Sequence, residues 1–198
     1  AGAFSGRKEG VTPHGLCVLP DNNYVLTGNY SSPNKFQIFD IQNTDEPKLV
    51  GQCPGPPSRA WQVAVYNKRF AYISLLGTGI AMYNISDINF PWLQWVHYIP
   101  ENYLGAGALY DEPPLELHLL KKHLLASNSE LGYAVMRLDS LNGGLCFEGN
   151  ILPEGANGIF RSLVWDDDLM IFANGNNQHP AFRSEEMKVF ICNMLNRE

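Results

Sequence analysis

An all-β fold, a β-propeller of four recognisable four-stranded blades, is what this sequence predicts, and three observations carry it. An alternating apolar phrase ending in an acid or its amide is written twice, FQIFDI from Phe36 and IAMYNI from Ile80, 44 residues apart. A hairpin pattern recurs four times, its returning strands beginning at Tyr24, Phe70, Leu124 and Leu169, in steps of 46, 54 and 45 residues. Helical periodicity is almost absent, the nearest candidate being the short run from Ser184 to Met187. Repeats of this size, each joining several short strands, mark propeller blades. Four such blades either close a small ring or form part of a larger one.

Residues 1–13 carry small, polar and breaker residues and read as a lead-in that supplies a closing strand if it orders. The first hairpin runs from His14 to Thr27 around Asp21-Asn22-Asn23, residues that tolerate positive φ. The next three turn at Asn67-Lys68-Arg69, Lys121-Lys122-His123 and Asp166-Asp167-Asp168. Third strands follow at 36–41, 80–85, 133–138 and 187–192, and fourth strands at 47–53, 92–99 and 145–152, with none evident after Cys192. The blades therefore fall near 14–56, 57–100, 115–153 and 158–198. Runs such as LCVL, VAV and LMIF are apolar on both faces, as sheets packed face to face require. Longer connections at 28–35, 101–114 and 174–186 are rich in Gly, Asn and Pro, and on a repeat scaffold such insertions gather on a binding face.

Composition narrows the function classes. The chain of 198 residues is 45% apolar and 12% aromatic with a net charge of −6, which suits a globular sheet protein and argues against a nucleic-acid surface. No apolar run approaches the length of a membrane helix. The chain opens on Ala1, as a processed form or a piece of something longer would. Cys17, Cys53, Cys146 and Cys192 lie far apart without a CxxC, so buried thiols on strands are expected; in an oxidising compartment Cys17 with Cys192 would join the two ends.

FDIQNTDEPKLVGQ and YNISDINFPWLQWVHY resemble the LVIVD-repeat β-propellers. The pieces are Asp40-Ile41, Asn84-Ile85-Ser86-Asp87, Pro47-Lys48-Leu49-Val50-Gly51 and Ala71-Tyr72-Ile73. KFQIFDI is similar to the third strand of the wider WD40-like class, although Trp165-Asp166 falls at a hairpin turn instead. The resemblance implies an interaction or scaffold module, often extracytoplasmic, with no catalytic residue to carry over and no cofactor. The expected partner is a protein, or another chain segment where the ring is incomplete.

The candidate partner-binding residues are Trp92, Trp95, Tyr103, Tyr110 and His179. Exposed aromatics beside Pro-rich loops suit protein contact or sugar stacking, with blade-to-blade packing as the structural alternative. Strict alternation puts Trp92 and Trp95 on opposite faces, so that one is exposed. His118 and His123 flank a turn and could approach each other, but no metal spacing such as HExxH accompanies them. Asp166-Asp167-Asp168 reads as a hairpin tip, and Asn29-Tyr30-Ser31 and Asn84-Ile85-Ser86 fit the glycosylation triplet. Pro153 to Gly158 resembles part of the cation site of metal-dependent lactonase propellers, which would give Glu154 and Asn157 as ligands of an alternative, hydrolytic reading. No GxSxG accompanies it.

Overall fold

The structure is a computed structural model and describes residues 13–30, 33–98, 116–128, 132–151, 161–166, 169–174 and 188–193. The chain divides into two compact units at Tyr98. In the first unit β1 (Pro13–Val18), β2 (Tyr24–Asn29), β3 (Phe36–Asp40) and β4 (Lys48–Cys53) form one antiparallel meander. A second follows from β5 (Arg59–Tyr66), β6 (Phe70–Leu76), β7 (Gly79–Asn84) and β8 (Trp92–Tyr98). In the second unit β9 (Leu117–Leu120), β10 (His123–Asn128), β11 (Gly132–Leu138) and β12 (Leu145–Ile151) make a third four-stranded sheet. The last sheet has three described strands, β13 (Arg161–Asp166), β14 (Leu169–Asn174) and β15 (Lys188–Asn193). Successive four-stranded antiparallel meanders are the blades of a β-propeller. The segment expected to supply a missing strand lies outside the described residues, apart from Pro13, which opens β1.

Two local devices repeat from sheet to sheet and give the doubled phrase its physical meaning. The acid or amide that ends each third strand folds the chain back on itself: Asp40, Asn84 and Asp139 each accept, through Oδ1, the backbone N–H two residues on, at 2.8–2.9 Å. Three residues later Asn43, Asp87 and Asn142 do the same, at 2.7–3.1 Å. Such side chains replace the missing ladder bonds of a turn. The second device is a bulge in each fourth strand, where Val50, Gln94 and Glu148 are passed over in the pairing.

The hairpin tips follow from backbone handedness. Asn67 and Lys68 both sit near φ 52° in the three-residue connection 67–69, where Arg69 N–H donates to the Tyr66 carbonyl at 3.1 Å. Asn22 and Lys121 also take positive φ, as the Asn- and Lys-containing turn sequences anticipate only in part, since lysine gains nothing there.

The core of the first unit lies between its two sheets. Leu26, Phe36, Ile38 and Cys53 of the first sheet pack on Ala71, Ile73, Ala81 and Tyr83 of the second, with β5 lying against β1 and β2. Phe36 and Tyr83 stack across the interface with ring centroids 4.9 Å apart. Burial raises the Tyr83 hydroxyl above its ordinary range, and the neighbouring Cys53 adds to this. Every residue of β6 and β7 is buried, which explains why those strands read as apolar on both faces. Gly51 marks the closest approach, because a Cβ there would meet the carbonyl oxygen of Ile88. Cys17, Cys53 and Cys146 are free thiols, so Cys17 is not bridged to Cys192; burial pushes the Cys17 and Cys53 thiols up.

Candidate functional site

In an antiparallel meander the first strand starts, the second ends, the third starts and the fourth ends at one common edge of the sheet. In the first unit this edge gathers His14, Tyr30, Lys35, Arg59 and Trp61, three of them at the beginnings of β1 and β5. The His14 ring stacks on Trp61 with centroids 3.5 Å apart, and Tyr30 stands 5.6 Å from His14 and 6.2 Å from Trp61. The Arg59 guanidinium lies over the Tyr30 ring, 4.9 Å from its centroid, a cation–π contact. His14 and Arg59 are exposed while Tyr30 and Trp61 are half-buried, so the four form a surface cluster with an apolar floor.

Local structure holds each member. The ladder between β5 and β6 is irregular between Ala60 and Val63, and there the Gln62 N–H donates to Ser74 Oγ at 2.9 Å. That irregularity brings Trp61 beside β1, where the absence of a side chain on Gly15 admits the Trp61 carbonyl. Tyr30 is set by Asn29, which is fully buried and donates from Nδ2 to the Asn34 carbonyl at 2.9 Å and to Gln37 Oε1 at 3.1 Å. Lys35 is buried beneath, its ammonium 3.5 Å from the Tyr30 carbonyl oxygen, and burial lowers its pKa. In the connections at this edge, Gly55 N–H donates to the Pro33 carbonyl at 3.3 Å, and Ser58 Oγ donates to the Leu76 carbonyl at 2.9 Å.

The carboxylates of this unit's strands are segregated, although Lys48, Lys68 and Arg69 stand at the same edge as they do. Between residues 13 and 98 the carboxylates are Asp21, Asp40, Asp45, Glu46 and Asp87, and all five lie in or beside the turns of the opposite edge. The edge with His14 and Arg59 carries none of them, and no ion pair among the described residues engages Arg59.

The third sheet has its own polar cluster at the edge where its first strand begins. Glu116 is buried, accepts the Tyr133 hydroxyl at 2.7 Å and lies 3.6 Å from His118 Nε2, while its N–H donates to Ser127 Oγ at 2.8 Å. At the other edge Glu148 joins His123 and Arg137, at 3.2 and 2.9 Å. His118 and His123 engage different carboxylates, His118 lying opposite Leu125 and His123 opposite Leu120, two steps apart on the β9–β10 ladder.

Of the residues singled out from sequence, Trp92 and Trp95 depart from expectation. Passing over Gln94 pairs Trp92 with Asn84 and Trp95 with Met82, so the bulge puts both on one face of the sheet instead of two. Trp92 is 47% exposed, at the edge away from His14, whereas Trp95 is half-buried, 6.2 Å from the Tyr72 ring. Tyr103, Tyr110, His179, Glu154, Asn157, Asp167 and Asp168 lie outside the described residues. Among the described residues no group of three or more His, Cys, Asp or Glu is placed to hold a metal ion. Neither glycosylation triplet presents an accessible amide, since Asn29 is fully buried with Nδ2 committed, and Asn84 is buried with its Oδ1 in a turn. No helix among the described residues is long and apolar enough to cross a membrane. The Tyr30, Arg59 and Trp61 cluster escaped the sequence reading. Its available signal was the 45-residue step from His14 to Arg59, which repeats the blade period.

Comparison with protein-family models gave no match, and comparison with curated protein sequences gave none either. Solved structures do resemble the chain. A periplasmic gluconolactonase of Pseudomonas aeruginosa, PpgL, aligns with 93% of this chain and 58% of its own at 14% identity and a TM-score of 0.62. A candidate 6-phosphogluconolactonase of Bacteroides uniformis aligns with 98% of this chain and 59% of its own at 16% identity and a TM-score of 0.63. The computationally designed Ika4 protein is covered over 90% of both chains at 11% identity and a TM-score of 0.53. The chain therefore spans under three fifths of the length of the two natural proteins. At these identities the likeness is one of fold, and with the four-stranded meanders it places the chain in the β-propeller class.

Proposed function

We propose that this chain is a propeller binding module that recognises a protein partner with the edge of its blades at which each first strand begins. The observation that carries the reading is the surface cluster of His14, Tyr30, Arg59 and Trp61. Trp, Tyr and Arg are the side chains that concentrate binding energy at protein interfaces, because each joins a large apolar area to a polar or charged edge. The proposed surface takes in the connection at 28–35, which leaves its sheet at this edge, together with those at 101–114 and 174–186, which apart from Asn174 lie outside the described residues. Trp92 and Trp95 fall outside this surface by their position. Kinship with the LVIVD repeats, with blades near 14–56, 57–100, 115–153 and 158–198 and 1–13 as a closing strand, is part of the proposal. It is supported by the repeated turn at Asp40 and Asn84.

The test is to pan a random peptide library on the folded chain and map the selected peptides by NMR shift perturbation. Peptides that map to Tyr30, Arg59 and Trp61 are expected. Selected peptides that map to the turns at 41–47 and 85–91, or no enrichment at all, overturn the reading.

A second reading, hydrolysis of a sugar lactone with the help of a bound cation, is favoured by the likeness to the two lactonase structures. It would use Glu154 and Asn157 as ligands, and no step is assigned to residues of the described sheets. Proton release from glucono-δ-lactone above the uncatalysed rate, together with a stoichiometric cation by elemental analysis, would support it. A silent assay on cation-replete protein would remove it.

A further inference from the structure

We infer that the partner segment captured at this edge is acidic, with a carboxylate seated on Arg59 and the adjoining apolar surface laid on Trp61 and Tyr30; the inference rests on the binding reading above.

Two observations point to the sign of the ligand. The first is the net charge of the two edges: within residues 13–98 all five carboxylates lie at the opposite edge together with Lys48, Lys68 and Arg69, a net of −2, while Lys35 and Arg59, with His14, give this edge a net of +2. A segment of negative charge is attracted to this edge and repelled from the other, which fixes its orientation as well as its affinity. The second is the state of Arg59 itself. It is exposed, its guanidinium lies over the Tyr30 ring, and no ion pair among the described residues occupies it. A guanidinium resting on a ring, with no carboxylate paired to it among the described residues, can offer two parallel N–H donors to an incoming carboxylate. Lys35 contributes field from below without contact, being buried under the loop that carries Tyr30. A segment of alternating acidic and aromatic side chains matches this arrangement, its carboxylates on one side and its rings on the other.

The experiment titrates the intact chain with a fluorescein-labelled Glu-Phe-Glu-Phe-Glu peptide and with its Gln-Phe-Gln-Phe-Gln counterpart, by fluorescence anisotropy. Free glutarate and inorganic phosphate serve as competitors. The acidic peptide is expected to bind about ten-fold more tightly than the amide peptide, the value of one charge-assisted hydrogen-bonded contact. Raising the salt concentration should shrink the difference. Arg59→Gln should abolish the preference, and Arg59→Lys should retain part of it; circular dichroism and thermal melting of both variants establish that the exposed position leaves the fold intact. Equal binding of the two peptides, or a preference unchanged in Arg59→Gln, overturns the inference. Glutarate or phosphate displacing the label as tightly as the peptide itself also overturns it, by assigning the site to small anions. Shift mapping with the amide peptide separates the two levels. If that peptide perturbs Tyr30 and Trp61 as strongly as the acidic one, the binding surface stands and its acid preference falls. If neither peptide perturbs them, both fall together.

Discussion

Gly51 gives the sharpest test of how the first two blades pack. It lies on β4 opposite Ile38, beside the bulge at Val50, and its face is turned to the second sheet. A methyl group there would enter the Ile88 carbonyl oxygen and stand 3.1 Å from Pro91 Cδ. Neither neighbour has room to retreat, because the turn that carries them is tied by Ser86 N–H to Asn84 Oδ1 at 2.9 Å and by Asn89 N–H to Asp87 Oδ1 at 3.0 Å. The sheets must therefore separate or the turn must break, and Gly51→Ala should cost about 3 kcal/mol, the upper end of overpacking losses. For a domain of this size that lowers Tm by roughly 6–12 °C. Gly28 is the internal control. It faces the same interface, but a Cβ there finds Ile73 Cγ2 and the Trp61 carbonyl oxygen at 3.5 Å, ordinary contact. Gly28→Ala should then be neutral or stabilising by up to about 1 kcal/mol, through the lost freedom of the unfolded chain. Urea unfolding followed by tryptophan fluorescence and circular dichroism measures both. The reasoning is refuted if Gly51→Ala lies within about 0.5 kcal/mol of the parent, or if the two alanines cost the same.

Lys68→Gly relieves a left-handed lysine in the β5–β6 turn. Allowing for the entropy of glycine and the loss of the exposed Lys68–Asp21 pair at 3.5 Å, it should gain about 0.5–1 kcal/mol in urea unfolding. His97 is half-buried on β8, and burial lowers its pKa from 6.5, so the unfolded chain takes up a proton more readily than the folded one. Its contribution to stability is full above about pH 6.5 and is lost as the pH falls toward the folded-state value; the urea midpoint of His97→Gln should fall less on acidification than that of the parent. Among the three thiols placed by the structure, iodoacetamide near pH 8 followed by peptide mapping should modify exposed Cys146 first, and Cys53 only on unfolding. Simultaneous modification would show that the interface between the first two sheets opens.

What could be read from the sequence was whatever the repeat writes locally. Asp40 and Asn84 end strands because their side chains begin the next turn, a two-residue reach that any linear reading captures. Gly51 stood in the quoted motif, although the carbonyl that excludes a side chain comes from Ile88, far along the chain. Hairpin positions followed from turn chemistry in the same way. Parity did not, because a single passed-over residue, Gln94, moves Trp95 to the face of Trp92 and has no composition of its own. The candidate site was hidden for a related reason. His14, Tyr30, Arg59 and Trp61 come from the start of one strand, the end of another and an irregular stretch of a third, and only sheet packing makes them neighbours. Glu116 and Tyr133 are likewise joined across three strands, and neither residue type is diagnostic alone.

The two edges of the first unit divide the labour that its polar residues perform. At the edge of the tight turns, Asp21, Asp40 and Asp87 are each spent on a backbone N–H two residues on, so their charge is the by-product of a structural requirement. Asn84 fills the same role where the site is buried, and an amide is the form that avoids burying a charge. A turn built in this way tolerates little change, since each side chain replaces a ladder bond. The opposite edge has no such demand. Its β6–β7 connection turns on Gly77 with a Thr78 N–H to Leu75 carbonyl bond of 2.9 Å, and its loop at 30–35 is held from inside by Asn29. The side chains of the cluster there are a guanidinium, an imidazole and two large rings, which meet in ring stacking and a cation–π contact. A scaffold that fixes its acids at one edge for structural reasons leaves the other without them, and although Lys48, Lys68 and Arg69 offset part of that charge, the edge of the acids keeps a net of −2 within residues 13–98. On the proposal that this edge takes an acidic segment, Arg59 would add direction to a charge difference that the turn chemistry of the blades has already set.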